Sequence, residues 1–92
     1  MIQVEKIENF TGVKIEMRNA PLLLLIADKG FVMCGYLNID AAEKLGDCAC
    51  IVRGVRTFED VLNAKTLAVT SKAKALGIVE GMSGREALRL ME

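Results

Sequence analysis

The sequence has no histidine and no tryptophan, and only one tyrosine and one proline among its 92 residues. Without histidine the chain cannot form a Ser-His-Asp triad or a Cys-His pair, and it cannot use imidazole for acid–base chemistry or metal binding. Any catalysis would therefore depend on cysteine, aspartate, glutamate, lysine, tyrosine or arginine. The shortage of aromatic rings also leaves few surfaces on which nucleic-acid bases would stack.

The sequence also lacks an excess of charge of either sign. Twelve lysine and arginine residues balance twelve aspartate and glutamate residues, so the formal net charge is zero. Nucleic-acid-binding proteins usually carry a basic patch, and peripheral membrane proteins often carry a basic amphipathic helix. Neither feature is present, and no apolar run reaches the ~18–20 residues that cross a bilayer. We therefore expect no nucleic-acid partner and no membrane association.

The N-terminal segment and the cysteines both indicate a cytoplasmic protein. Residues 1–6 mix polar and apolar side chains from the outset, unlike a signal peptide. The cysteines number three, an odd count, and their spacing does not form a disulfide framework. We therefore expect the protein to reside in the cytoplasm with its thiols reduced.

The chain is rich in apolar residues for its size. Hydrophobic residues make up 52% of the sequence, and the mean hydropathy is +0.33. A single domain of this length buries only roughly 60–65% of the surface that its unfolded chain exposes. Either the core is unusually dense or some apolar surface is buried against another copy of the chain, and we favour the second explanation.

The first half of the sequence shows the patterns of β-strands. Apolar and polar residues alternate over residues 2–5 and 13–18, which indicates strands with one face in water. The unbroken apolar run Leu22–Ile26 follows a proline and predicts a strand that is covered on both faces. The apolar segment Phe31–Leu37 predicts its hairpin partner, and Cys48–Arg53 predicts one more strand.

Helix-capping signals dominate the second half. They predict four short helices that begin near Asp40, Thr57, Val69 and Ser83, and the segment SGRE that begins at Ser83 is a full capping box. Gly77 is placed to end the third of these helices. A β-rich half followed by a mostly helical half predicts a single α+β domain over residues 1–92, with about five mostly antiparallel strands.

The cysteines are candidates for a metal site or a reactive thiol. On a strand, Cys48 and Cys50 would point to one face with Cα atoms ~6.6 Å apart, a poor geometry for a disulfide. Zinc would tolerate this spacing with Cys34 as a third ligand, but the sequence has no CxxC pair. We favour core packing and predict no metal site. If one thiol is catalytic, Cys34 is the best candidate, and it would need a nearby cation.

Residues at two predicted helix starts are candidates for binding an anion. Arg56 immediately precedes Thr57, and Arg85 lies in the first turn after Ser83. A cation there has the wrong sign for the helix dipole, and a bound carboxylate or phosphate would compensate for it. Simple capping by Thr57 and Ser83 is the favoured interpretation, because acidic residues in the same turns already supply the favourable sign.

Several ordered blocks of residues resemble a known family. The blocks are MCGYL at 33–37, GVRTFEDVL at 54–62, LGI at 76–78 and GMSGREAL at 81–88. They are similar to the YunC-like family of bacterial and archaeal proteins, over most of the chain from about the third strand onward. The resemblance implies a small α+β fold whose N-terminal β region mediates self-association. The family is a domain of unknown function, so the resemblance implies no reaction, cofactor or catalytic residue, and Cys48 and Cys50 lie outside its pattern.

Two functional hypotheses follow. The first is a homo-oligomeric binding or structural module without a cofactor, which assembles through its N-terminal β region. The second is a small enzyme or enzyme subunit with a thiol or small-anion site near Cys34 and Arg56 at a subunit interface. A concave polar pocket that joins Cys34 to Arg56 or Arg85 would favour the enzyme, and a packed, dry Cys34 would favour the module.

Overall fold

The computed structural model describes residues 1–92 as one mixed sheet with short helices. The strands are β1 (Ile2–Ile7), β2 (Phe10–Glu16), β3 (Pro21–Ile26), β4 (Phe31–Met33), β5 (Ala49–Ile51) and β6 (Ala68–Val69). The helices are α1 (Ile39–Leu45), α2 (Phe58–Asn63), α3 (Ser71–Ala75) and α4 (Gly84–Leu90). None of the four is long and apolar enough to span a bilayer.

The sheet follows the order of the chain, β1-β2-β3-β4-β5-β6. Every neighbouring pair is antiparallel except β4 and β5, which are parallel and are joined through the crossover helix α1. This architecture confirms the predicted α+β fold with a mostly antiparallel sheet. The sheet has six strands rather than about five, because the two residues Ala68–Val69 pair with the outer edge of β5.

One face of the sheet carries the main core. The register aligns Leu25 with Val32, Val32 with Cys50, and Cys50 with Val69, so alternation places all four side chains on the same side. All four are buried, and they belong to a cluster that also includes Leu88 of α4. The helices α2, α3 and α4 supply the apolar side chains that cover this face, among them Leu62 and Ala73.

The opposite face is covered over only part of its width. Alternation directs Met33, Ala49 and Ile51 to this side, where they form a small cluster with Ala42 of α1. The helix α1 is the crossover between β4 and β5 and therefore lies over these two strands. The remaining strands, β1 to β3, present a different surface on this side, which is described below.

The predicted helix starts are right for two helices and shifted for the other two. Thr57 and Ser83 are the N-caps of α2 and α4, as predicted. The cap of α1 is Asn38 rather than Asp40, because the Asn38 side chain accepts a hydrogen bond from the Ala41 backbone at 3.0 Å. The third helix begins after the cap Thr70, and the preceding residue is part of β6.

Two predicted strands are shorter in the structure. The segment Phe31–Leu37 forms a strand only up to Met33, because the chain then turns and the Leu37 N–H donates to the Cys34 carbonyl oxygen at 3.2 Å. The segment Cys48–Arg53 is a strand over Ala49–Ile51, which matches the length of its parallel partner β4. The turn after β4 forms one wall of the main surface cleft.

Candidate functional site

A surface cleft of about 350 Å³ lies between three segments that are distant in the sequence. One wall is the turn Cys34–Tyr36 after β4, the second is the segment Gly54–Arg56 before α2, and the third is Ala20 with Pro21 at the start of β3. The cleft therefore joins Cys34 to Arg56, two of the candidate site residues that were predicted from the sequence. Half of its eight lining residues are hydrophobic.

Backbone contacts hold the walls of the cleft in place. The Cys34 N–H donates to the Leu23 carbonyl oxygen at 3.1 Å, which fixes the turn against β3. Gly54 has a φ of +73°, in the left-handed region that favours glycine. The chain reverses there, so that Val55 is buried in the main core while Arg56 is exposed at the cleft.

Cys34 lies at the floor of the cleft and is packed. Only 3% of the residue is exposed, and its Sγ accepts a hydrogen bond from the Leu23 N–H at 3.2 Å. Burial of Cys34 was predicted from its apolar strand, and the structure confirms it. A nucleophilic thiol must present its sulfur to a substrate, so this geometry favours a structural role.

The other two cysteines are buried on the core face of the sheet. Cys48 and Cys50 both belong to the main core, which matches the prediction that they share one face and pack as buried free cysteines. Burial, followed by the proximity of Cys48, raises the pKa of Cys50 to about 12, and burial also raises the pKa of Cys48. Both thiols are therefore neutral at pH 7. No three His, Cys, Asp or Glu side chains converge closely enough to hold a metal ion.

Arg56 brings an uncompensated positive charge to the cleft. Its backbone N–H donates to Asp60 Oδ2 at 3.0 Å, but no carboxylate oxygen lies within 4.0 Å of its guanidinium. Tyr36 lines the same cleft with 49% of the residue exposed, and its hydroxyl makes no hydrogen bond within the chain. Tyr36 was not singled out in the sequence, although its place as the only tyrosine, next to a glycine in the MCGYL block, was an available signal.

A second cleft, of about 330 Å³, lies on the other side of the same turn. It shares Gly35 and Tyr36 with the first cleft and adds Arg53 and Asp40. The Arg53 side chain packs near Gly35, where an added Cβ would lie 3.4 Å from Arg53 Cγ. The turn after β4 therefore stands between two arginines, one in each cleft.

Arg85 lies elsewhere and is already paired. Its Nε donates to Glu8 Oε2 at 3.0 Å, and its Nη1 donates to Asn63 Oδ1 at 3.2 Å. Its Nη2 lies 3.6 Å from Glu59 Oε1. The hydrogen bond to Glu8 is the main reason that the pKa of Arg85 is raised. The structure does not bring Arg85 to Arg56. Arg85 instead connects the β1–β2 turn to α2 and α4.

The two hydroxyl candidates cap their helices. Thr57 Oγ1 accepts a hydrogen bond from the Asp60 N–H at 3.0 Å. Ser83 Oγ accepts one from the Glu86 N–H at 3.1 Å, and Glu86 Oε1 accepts one from the Ser83 N–H at 3.2 Å. These contacts match the capping interpretation, in which each hydroxyl accepts from a backbone N–H of the first helical turn.

The N-terminal strands present an aliphatic surface, which we call the open face. The cross-strand register aligns Ile2 with Ile15 and Leu22, and Val4 with Val13 and Leu24. Alternation directs these six side chains away from the main core, although Leu24 reaches the small cluster under α1 and Leu22 also contacts the main core. Ile2 is 69% exposed and Val4 is 64% exposed, and the other four are partly exposed.

The fold and the cleft define a small α+β protein whose relatives have no assigned reaction. The chain belongs to the family described as "Domain of unknown function (DUF1805)", whose model matches residues 33–91 and so includes both the Cys34–Tyr36 and the Gly54–Arg56 walls. This match confirms the resemblance to the YunC-like family.

Two proteins resemble the chain over most of its length. The uncharacterized protein YunC of Bacillus subtilis (strain 168) is 37% identical over 86 residues, which cover 89% of this chain and 85% of that protein. The crystal structure of a protein of unknown function, TA1206, from Thermoplasma acidophilum superposes with a TM-score of 0.88 and 35% sequence identity. That alignment covers 100% of this chain and 92% of the other.

Proposed function

We propose that this protein is a homo-oligomeric binding or structural module of the cytoplasm that assembles through its open face. The observation that carries the proposal is the pair of aliphatic rows across β1, β2 and β3, which no helix of the chain covers completely. The three free cysteines are compatible with a reducing compartment.

The exposure of β1 is the first argument. It is an edge strand bonded only to β2, and of its six side chains only Ile7 is partly buried. Pairing with β2 fixes the backbone of β1, but Ile2 and Val4 keep most of their apolar surface in water. Packing of a second copy against Ile2 and Val4 would supply the missing burial.

The size of the open face is the second argument. Three strands ~4.8 Å apart and two side-chain rows that each span two residues at ~3.3 Å per residue give a planar area of roughly 190 Å². With the next row on the same side, which consists of Lys6, Thr11 and Ile26, the surface reaches the lower end of the range for the largest apolar patch on a typical monomer, roughly 300–600 Å². Met1 and Met17 are exposed at the end of the sheet next to the row that contains Ile2. A standard interface needs about 800 Å² per partner, so these rim residues would contribute to it.

The chemistry of the face favours an identical copy as the partner. Two aliphatic sheet faces pack against each other at a distance of ~10 Å, and a two-fold axis makes one such surface complementary to itself. Alternation places Glu5, Lys14 and Glu16 on the opposite side of the sheet, away from this contact. A net charge of zero produces no overall repulsion between copies.

The packing of Cys34 supports a module over a thiol enzyme. The cleft does join Cys34 to Arg56, which the enzyme hypothesis requires. However, only 3% of the Cys34 residue is exposed, and its sulfur accepts a hydrogen bond from the Leu23 backbone N–H. A thiol in this position contributes to packing. The cleft is therefore more suitable for binding than for nucleophilic chemistry.

A matched pair of variants tests the proposal by light scattering at micromolar concentration. Val4→Lys places a charge on the open face, whereas Val79→Lys places the same charge at a residue of similar exposure, 58%, in the loop before α4. We expect Val4→Lys to lower the mass toward 10.0 kDa and Val79→Lys to leave the assembly intact. Equal masses for wild type and Val4→Lys would contradict assembly through this face.

A further inference from the structure

We propose that the cleft between Cys34–Tyr36 and Gly54–Arg56 binds a small molecule that has an anionic oxygen group and a short apolar body. Arg56 would bind the anionic group, and Pro21 and Val55 would contact the apolar part. Short-chain carboxylates and phosphate monoesters share this chemistry.

The charge of the cleft is the first step of the inference. None of its eight lining residues is acidic, and the Arg56 guanidinium has no ion-pair partner within the chain. Arg85 shows how the same chain compensates an arginine elsewhere, since Glu8, Glu59 and Asn63 all contact it. An uncompensated guanidinium next to a concave surface is suited to bidentate binding of a carboxylate or phosphate.

The shape and chemistry of the floor are the second step. Pro21, Cys34 and Val55 are buried and apolar, and the Tyr36 ring stands at the side with a free hydroxyl. A volume of about 350 Å³ lies at the lower end of the range for small-molecule sites, roughly 300–1,000 Å³. An apolar floor with a few polar groups at the rim is the usual composition of such sites.

The rigidity of the walls is the third step. The Cys34 N–H is bonded to Leu23 of β3, and the Arg56 N–H is bonded to the Asp60 carboxylate. Both walls are therefore fixed before a ligand arrives, which reduces the entropy lost on binding. The nearby amides of α2 play no part, because Thr57 already caps that short helix.

The cleft and the open face are separate surfaces. No lining residue of the cleft belongs to the six residues of the open face. Binding in the cleft therefore does not depend on the proposed assembly, and either proposal can fail while the other holds.

The composition of the chain provides a direct readout. Tyr36 is the only tyrosine and there is no tryptophan, so tyrosine fluorescence reports only on the two clefts that share Tyr36, and the Arg56 and Arg53 variants distinguish between them. We would titrate the protein with butyrate, with butyl phosphate and with neutral butyramide, none of which absorbs at the excitation wavelength. Chemical-shift changes of the backbone amides provide a second measurement, and they should concentrate at residues 34–36 and 54–56.

We expect a saturable change with butyrate or butyl phosphate and none with butyramide. For butyrate, about six non-hydrogen atoms at an intermediate ligand efficiency correspond to a Kd of about 1 mM, and we expect butyl phosphate to bind at least as tightly. Arg56→Gln should weaken binding roughly tenfold or more through the lost charge-assisted hydrogen bonds. The matched control Arg53→Gln, in the neighbouring cleft, should change the Kd less than about twofold.

The outcomes decide between the ligand classes and against the proposal. Binding of butyrate alone identifies a carboxylate site, and binding of butyl phosphate alone identifies a phosphate-ester site. The proposal is overturned if neither anion saturates at about 20 mM, twentyfold above the expected Kd. It is also overturned if butyramide binds equally well, or if a folded Arg56→Gln variant binds as tightly as wild type.

Discussion

The strands β1 and β3 belong to the same sheet and both carry aliphatic side chains, yet the environments of these side chains are opposite. In β3 the side chains of Leu23 and Leu25 are completely buried under α2 and its neighbours. In β1 the equally apolar Ile2 and Val4 are mostly exposed. The difference arises because Leu23 and Leu25 point to the face that α2, α3 and α4 cover, whereas Ile2 and Val4 point to the other face, where α1 covers only β4 and β5.

This contrast shows that strand pattern alone does not determine burial. Alternation decides which side chains share a face, and the position of the helices decides which face is covered. Because α1 is the only helix on its side of the sheet, it covers β4 and β5 and leaves the outer strands open. An apolar surface in that position is an interaction site or an aggregation hazard.

The largest expected effect compares two neighbouring leucines of β3. Leu25→Ala should destabilise the protein by about 3 kcal/mol, because Leu25 is buried in the main core. Leu24→Ala should cost clearly less in dilute solution, because Leu24 is only partly buried on the open face. Urea unfolding at two protein concentrations measures both losses.

The concentration dependence of this pair is the decisive part. If the open face is buried between copies, the cost of Leu24→Ala grows when the wild-type protein is concentrated enough to assemble. The cost of Leu25→Ala has no such dependence of its own, because its packing lies within one chain. Equal costs that are unaffected by concentration would remove the distinction between the two faces.

The second effect is a loss of stability at alkaline pH that originates in the core. The folded state raises the pKa of Cys50 to about 12, whereas an unfolded cysteine titrates near 9.0. The unfolded state therefore loses its proton first, and stability falls as pH rises from about 9 to about 12. Cys50→Ala should show a shallower fall than wild type in urea midpoints over this range. Identical slopes would mean that this thiol is not protected by folding.

The third effect is the loss of stability when the N-cap of α4 is removed. Ser83→Ala removes the hydroxyl that accepts from the Glu86 N–H and should cost about 1 kcal/mol. Ser83→Asp is the matched control, because aspartate also caps helices and should keep most of the stability. Thermal unfolding measures both variants. An unchanged melting midpoint for Ser83→Ala would show that the capping box contributes nothing to α4.

The smallest effect concerns the ion pair between Glu8 and Arg85, which joins the β1–β2 turn to α4. Glu8→Gln weakens the pairing of the β1–β2 turn with Arg85, and the pair is partly exposed, so we expect a small loss that salt screens. Glu80→Gln removes an exposed carboxylate without a partner and is the control. A difference between the two variants that persists at ~1 M salt would contradict a mainly electrostatic contact.

The local features of the fold could be predicted from the sequence. The caps Thr57 and Ser83 depend on contacts three residues apart, so their signals lie within a short segment. The element boundaries that depend on partners distant in the sequence differ from the predicted ones. β4 ends where the Cys34 carbonyl oxygen accepts from the Leu37 N–H and the Leu23 N–H donates to Cys34 Sγ. The two-residue strand at Val69 is too short to show a period.

The candidate site was predictable only in part. Cys34 and Arg56 were predicted from the sequence as candidate site residues, and the structure places them in one cleft. Tyr36 and Pro21 complete it, but their contribution depends on how three segments meet, which no local pattern encodes. The pairing of Arg85 with Glu8 joins residues 77 positions apart in the sequence and was equally beyond a local pattern.

Sedimentation equilibrium of the unmodified chain across a dilution series tests assembly through the open face most directly. We expect a mass that is an integer multiple of 10.0 kDa at micromolar concentration, with dissociation on dilution. A well-folded 10.0 kDa monomer throughout the series would contradict assembly and would mean that the open face remains in water.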